Sequence, residues 1–235
     1  MWGLLRRWHC RHPRSRARDV ARSGLDAARG GRGEGCGSDD DSAQGCQGCE
    51  RTLRRRRQPE TLEDSVTAST DLLIDAFDRI AQVVRSTVGG LEPALLGERI
   101  DPGSNSIAWL VWHLTRIQDD HVSDVAGQTQ AWIDDGWSDR FGLPFDRYDT
   151  GYGHTPDEVG ALEGVGAVEL FGYHDDVHHR TVAYLRTVTD RDLGRVVDEA
   201  WDPPVTLGVR LVSVISDDLQ HAGQAAFARG VLERR

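Results

Sequence analysis

Between residues 69 and 232, apolar side chains return at every third or fourth position in four long runs, and no segment alternates apolar with polar residues. A 3–4 repeat lines one stripe of an α-helix, whereas a half-buried strand needs a period of two. In the first run, over 69–88, the stripe is Leu72, Leu73, Ala76, Phe77, Ile80, Val83, Val84 and Val88, and Gly89-Gly90 stops it. The second run starts after Ser104 and reaches about 125, with Ile107, Leu110, Leu114, Ile117 and Val125 on one side. The third covers about 168–188 and the fourth about 206–232. Ahead of the third, Thr155-Pro-Asp-Glu158 has an N-cap Thr, a Pro at the first helical position and a Glu at the third, so a short helix is expected there. Helices with one apolar stripe must bury it against each other. The predicted fold class is therefore all-α: a four-helix bundle of antiparallel helices, without strands.

The first 65 residues read differently. Residues 1–60 carry 14 Arg against 8 acids, many Gly and Ser, and almost no Ile, Val or Phe. Such a segment cannot bury enough apolar area to offset its ordering entropy, so 1–65 is expected to be a disordered Arg/Gly/Asp-rich tail before a bundle domain at 66–235. Cys46-Gln-Gly-Cys49, with Cys36, His9, Cys10 and His12, offers a zinc knuckle as the competing reading. Val66 stands where folded sequence begins, and GTG, a Val codon, also starts bacterial genes. The tail is then expected to be a start-site artefact. All four Cys precede residue 50, so any thiol chemistry in the body must use a thiol from outside.

Charge and composition exclude other classes. Residues 61–235 hold 14 Arg against 30 acids, which argues against nucleic acid as a partner. No run of 18 apolar residues and no signal sequence occurs, so a soluble cytoplasmic protein away from the membrane is expected. All 28 basic residues are Arg, and Lys is absent. Lys codons are AT-rich, so the composition suggests a high-GC genome, with actinobacteria the leading source.

Several histidines fall on the apolar faces. On the second helix, His113 and His121 flank Ile117; on the third, His174 and His178 share a face with Phe171, Val182 and Leu185. On the fourth, His221 lies beside Val214 and Ala225, with Asp217 about 40° away and ~6 Å along the axis and Asp218 on the other side, nearer the apolar stripe. An imidazole and a carboxylate spaced i, i+4 can ligate one metal, and a His from a facing helix completes a three-ligand set with an open position. His174 and His178 have equally good spacing, so helical geometry leaves both sets open, with core histidines as the bland alternative.

Three stretches carry a resemblance. They are 104–121 (Ser-Asn-Ser-Ile-Ala-Trp-Leu-Val-Trp-His-Leu-Thr-Arg-Ile-Gln-Asp-Asp-His), then Gly136-Trp-Ser-Asp-Arg-Phe-Gly-Leu-Pro-Phe145 with Thr150-Gly-Tyr-Gly-His154, and Val209-Arg-Leu-Val-Ser-Val-Ile-Ser-Asp-Asp-Leu-Gln-His-Ala-Gly-Gln224. Over about 66–235 the chain resembles the DinB-like superfamily, in its actinobacterial DUF664 branch. The resemblance implies a four-helix bundle with a divalent metal, zinc or nickel. Its ligands map onto His113, Asp217 and His221, with Asp218, His174 and His178 as alternatives. Asp217 departs from the family's usual His or Glu, and Asp has the shorter reach. The related mycothiol-dependent isomerisation uses a further C-terminal domain, and this sequence ends at Arg235, just past the last expected helix, so that isomerisation is not expected. The implied activity is transfer of a low-molecular-weight thiol, mycothiol in actinobacteria, to a small electrophile. Arg116, Trp132, Trp137 and Tyr152 are expected to line the substrate pocket, against readings of Arg116 as a salt-bridged surface group and the tryptophans as packing anchors. The competing functions are a non-enzymatic stress-associated bundle, in dimeric form a homodimer, and a metal-dependent hydrolase.

Overall fold

The computed structural model describes residues 67–235. The expected tail, its cysteines and the Val66 start lie outside them. Four long helices form the bundle: α1 (Ala68–Val88), α3 (Ile107–Ala126), α7 (Ala167–Leu185) and α8 (Leu207–Leu232). Short helices sit between them: α2 (Pro93–Gly97), α4 (Ala131–Asp134), α5 (Trp137–Phe141) and α6 (Pro156–Gly160). The long helices begin and end close to the expected places because their caps are local. Thr67, Ser106 and Thr206 each accept a hydrogen bond from the backbone N–H three residues on, and Thr155 and Glu158 form a full capping box at α6. Gly127 closes α3 at φ 64°, where a Cβ would be strained.

Cross-helix contacts set the directions. Gln118 bonds Thr181 (2.8 Å) and the Tyr184 hydroxyl bonds the Val125 carbonyl (3.3 Å), so α3 and α7 run parallel. Contacts of His113 with His221 and of His121 with Arg210 make α3 and α8 antiparallel. Pairs of Asp78 with His178 (2.9 Å) and Arg85 with Asp175 (3.7 Å) make α1 and α7 antiparallel too. Arg229 near the end of α8 donates to the Thr87 carbonyl near the end of α1 (3.1 Å), so these two run parallel. The all-antiparallel expectation is therefore corrected: the segment 127–166 carries the chain the length of the bundle before α7 begins. It also covers α3, 17 of whose 20 residues are buried, where an amphipathic pattern implied one buried face.

A second correction concerns strands. Val196–Asp198 pairs antiparallel with Val205–Thr206, in register Val196 with Thr206 and Asp198 with Val205. Segments of three and two residues are too short to show alternation, so no periodicity could reveal them. The core between the helices holds Phe77, Ile80, Leu114, Leu170, Leu185 and Leu211; each buried side chain of this kind contributes about 1.5–3 kcal/mol. Among the described residues, no helix is long and apolar enough to cross a membrane.

Candidate metal centre

Where α3 and α8 cross, one side chain of the first meets two of the second. His113 projects from the second turn of α3, and Asp217 and His221 from successive turns of α8. Ligand atoms of all three lie within 4.8 Å of one another, the one such set of three or more His, Cys, Asp or Glu among the described residues. The His113 and His221 rings meet edge to face with centroids 4.8 Å apart, and His221 Nε2 lies 3.7 Å from Asp217 Oδ1. Trp109, one turn before His113, stacks on its ring at 4.6 Å with a 13° tilt, and its own ring meets His221 edge-on.

Hydrogen bonds assign both tautomers. His113 Nδ1 faces the Thr150 carbonyl, which can only accept, so Nδ1 carries the proton and Nε2 the lone pair. His221 Nδ1 donates to Gln224 Oε1 (3.0 Å), which again leaves Nε2 as the basic nitrogen, on the Asp217 side. Two imidazole nitrogens and a carboxylate oxygen suit a divalent transition-metal cation. Bonds of about 2.1 Å in a tetrahedral site put ligand atoms ~3.4 Å apart, so the observed spacing needs only a small contraction around a cation. The residues present fit the group. The site is accessible, since the His221 and Asp217 side chains keep 19% and 12% of their surface exposed.

The other candidates lie elsewhere. Asp218 points into the bundle, and its two buried carboxylate oxygens have no hydrogen-bond partner. Burial, with Asp217 adding to it, pushes its carboxyl well above the usual range. His174 and His178 stack on α7 at 6.4 Å, toward α1 and apart from the three-residue set; His178 pairs with Asp78. Burial, more than neighbouring charge, lowers the pKa of both, to about 3 at His174. His121 takes a hydrogen bond from Arg210 near the far end of α8.

The expected pocket residues divide. Arg116 is fully buried, so it is not a surface group: it donates to the Asp149 carbonyl (3.0 Å) and the Tyr173 hydroxyl (3.2 Å) and lies 3.6 Å from Asp119. Trp137 anchors α5, with its indole N–H on Asp176 (2.9 Å) and its ring against Gly172, where a Cβ would come within 2.7 Å. Trp132 lines a cavity of about 400 Å³ together with Trp112, Leu143, Phe145 and Arg147. That cavity includes none of His113, Asp217 or His221. Tyr152 is 39% exposed on the loop that touches His113. Sequence reasoning missed Trp109, Thr150 and Asp119. Trp109 was findable, being four residues before His113; the Thr150 contact, 37 residues away in the chain, was not.

The sequence profile of the DinB superfamily matches residues 76–225, well over half of the chain and inclusive of all three clustered residues. A solved structure, the conserved protein of locus from Enterococcus faecalis, is similar at 29% identity with a TM-score of 0.66. The alignment covers 71% of this chain and 98% of that one. No curated protein matches the chain.

Proposed function

This chain belongs to the DinB superfamily, and from that premise we propose that it is a metal-dependent transferase joining a low-molecular-weight thiol to a small electrophile. The observation that carries this reading is the convergence of His113, Asp217 and His221 from two helices, with part of the set open to solvent. Three protein ligands leave a further position for an outside group, as catalytic sites do. A cation bound there supplies the positive charge that lowers a thiol's pKa and favours thiolate at neutral pH. His113 and His221 are held by their Nδ1 bonds to meet it through Nε2, and the Trp109 ring walls the site with apolar surface. No Cys follows Cys49, so the sulfur comes from a diffusible thiol. Mycothiol is the candidate, favoured by the Lys-free composition and the likeness to the actinobacterial DUF664 branch. In the reaction the thiol gives its proton to solvent and its sulfur lone pair forms the C–S bond. The electrophile accepts the displaced electron pair, either on a leaving group or on an opened ring or double bond.

The test compares purified protein, chelator-stripped protein, and stripped protein resupplied with zinc or nickel, each with and without thiol. Expected is about one metal per chain, with turnover that needs both metal and thiol. His221→Ala should lose the metal while His174→Ala keeps it. Full turnover by stripped protein would overturn the proposal. Turnover without thiol would make the protein a hydrolase, and absence of bound metal would leave a non-enzymatic bundle.

A further inference from the structure

The loop 149–154 is fastened onto α3 beside the metal-ligand candidates by bonds that no ligand role explains. Trp109 Nε1 donates to His154 Nδ1 (3.1 Å), so that nitrogen carries the lone pair, and His154 Nε2 donates to Asp149 Oδ2 (3.2 Å). The other carboxylate oxygen of Asp149 accepts from the Gly151 N–H (2.7 Å). Both nitrogens of His154 are thus committed, which leaves it none for proton transfer or metal binding. Its side chain is 4% exposed and lies between Trp112, stacked at 5.8 Å, and Phe145 at 4.5 Å. The loop also lies unusually close to the helix. Gly151 has φ 87°, and a Cβ there would sit 2.8 Å from the Trp112 ring and 3.1 Å from His113 Nδ1, so only glycine fits. Between Asp149 and Gly151, both pinned, is Thr150, whose carbonyl accepts the hydrogen bond from His113 Nδ1–H.

We propose that Asp149 and His154 are positioning residues: through the Thr150 carbonyl they set the tautomer and ring orientation of His113, so that it meets a cation through Nε2. The inference rests on the metal-site reading above. A ligating imidazole is oriented by what its other nitrogen bonds, and loss of such a partner typically costs 10–100-fold in metal affinity. Here the partner is a backbone carbonyl, which has no side chain to hold it in place. The Trp109–His154–Asp149 chain holds the side-chain end of that loop while Arg116 bonds the Asp149 carbonyl (3.0 Å), and Trp109 is the same residue that stacks on His113.

Asp149→Asn tests this without changing volume. Whichever way the amide turns, its NH₂ faces a donor, either the Gly151 N–H or the His154 Nε2–H. The measurements are zinc affinity by competition with a chromophoric chelator, and ¹⁵N shifts of the His113 ring in metal-free protein. Asp149→Asn is expected to bind zinc about 10–100-fold more weakly and to move His113 Nδ1 away from its protonated signature. His154→Ala should do the same, and His154→Gln, which offers both an acceptor and a donor, should recover part of the loss. Zinc affinity within threefold of wild type for Asp149→Asn, or unchanged His113 shifts, would overturn the proposal. If wild type itself bound no zinc, the metal reading would fall, and the ¹⁵N shifts would still decide the loop's role. Should His154→Ala fail to fold, the isosteric Asp149→Asn carries the test.

Discussion

His174 is fully buried, and neither of its ring nitrogens has a hydrogen-bond partner. Burial pulls its pKa from 6.5 to about 3, with His178 adding to the effect. The folded protein therefore keeps this ring neutral, while the unfolded chain takes up a proton below pH 6.5. The stabilising difference is present above pH 6.5 and is lost as pH falls toward about 3, at up to ~1.4 kcal/mol per pH unit. His174→Leu should have a flatter stability profile across that window than wild type, read from urea midpoints at successive pH values. An identical acid slope in the two proteins would mean that His174 is not the group responsible. The same residue shows the limit of spacing as a guide: His174 and His178 had an i, i+4 geometry as good as that of Asp217 and His221, and the bundle placed only the latter pair opposite another histidine.

Helix α3 is the element on which both the fold and the site depend. Asp119 joins it to the crossover, accepting from the Ala131 N–H (2.9 Å) and the Trp132 N–H (2.8 Å), and to α7, accepting from the Tyr173 hydroxyl (2.9 Å), while facing buried Arg116. The carboxylate thereby caps the start of α4 and compensates a guanidinium that has no access to water. Asp119→Ala strands that charge and is expected to cost about 3–5 kcal/mol in chemical denaturation. Arg116→Met combined with Asp119→Leu should cost clearly less than the two single changes summed, because the pair acts as a unit. A loss below about 1 kcal/mol for Asp119→Ala would show that the bracket contributes little. The apolar spacing located α3 to within a few residues, since capping and periodicity are local. It could not show that the polar side is also buried, because the covering segment begins only after the helix ends.

For the molecule as a whole, a cation at the site would tie α3 to α8, the pair that carries all three donors. Binding to the folded state alone stabilises by about 2.7 kcal/mol at a metal concentration 100 times Kd. In a domain of this size that corresponds to a rise in Tm of roughly 5–10 °C. Thermal unfolding of stripped protein titrated with zinc should show this rise, and His221→Ala should abolish it. A Tm independent of zinc at concentrations that saturate the site would count against a bound cation.

Sequence by itself determined the helical class, the limits of the four long helices, and Asp217 and His221 sharing a face of α8. These depend on a 3.6-residue period and on caps within three or four positions of each helix end. The family likeness added His113 as their partner. Tertiary structure decided the rest: the parallel pairing of α3 with α7, the two-strand pairing, the burial of Arg116 and Asp119, and the Thr150 carbonyl on His113. Each of these joins residues distant in the chain, or depends on how the 127–166 crossover lies over α3. Their geometry is fixed by packing and hydrogen-bond satisfaction across helices, which no local period encodes.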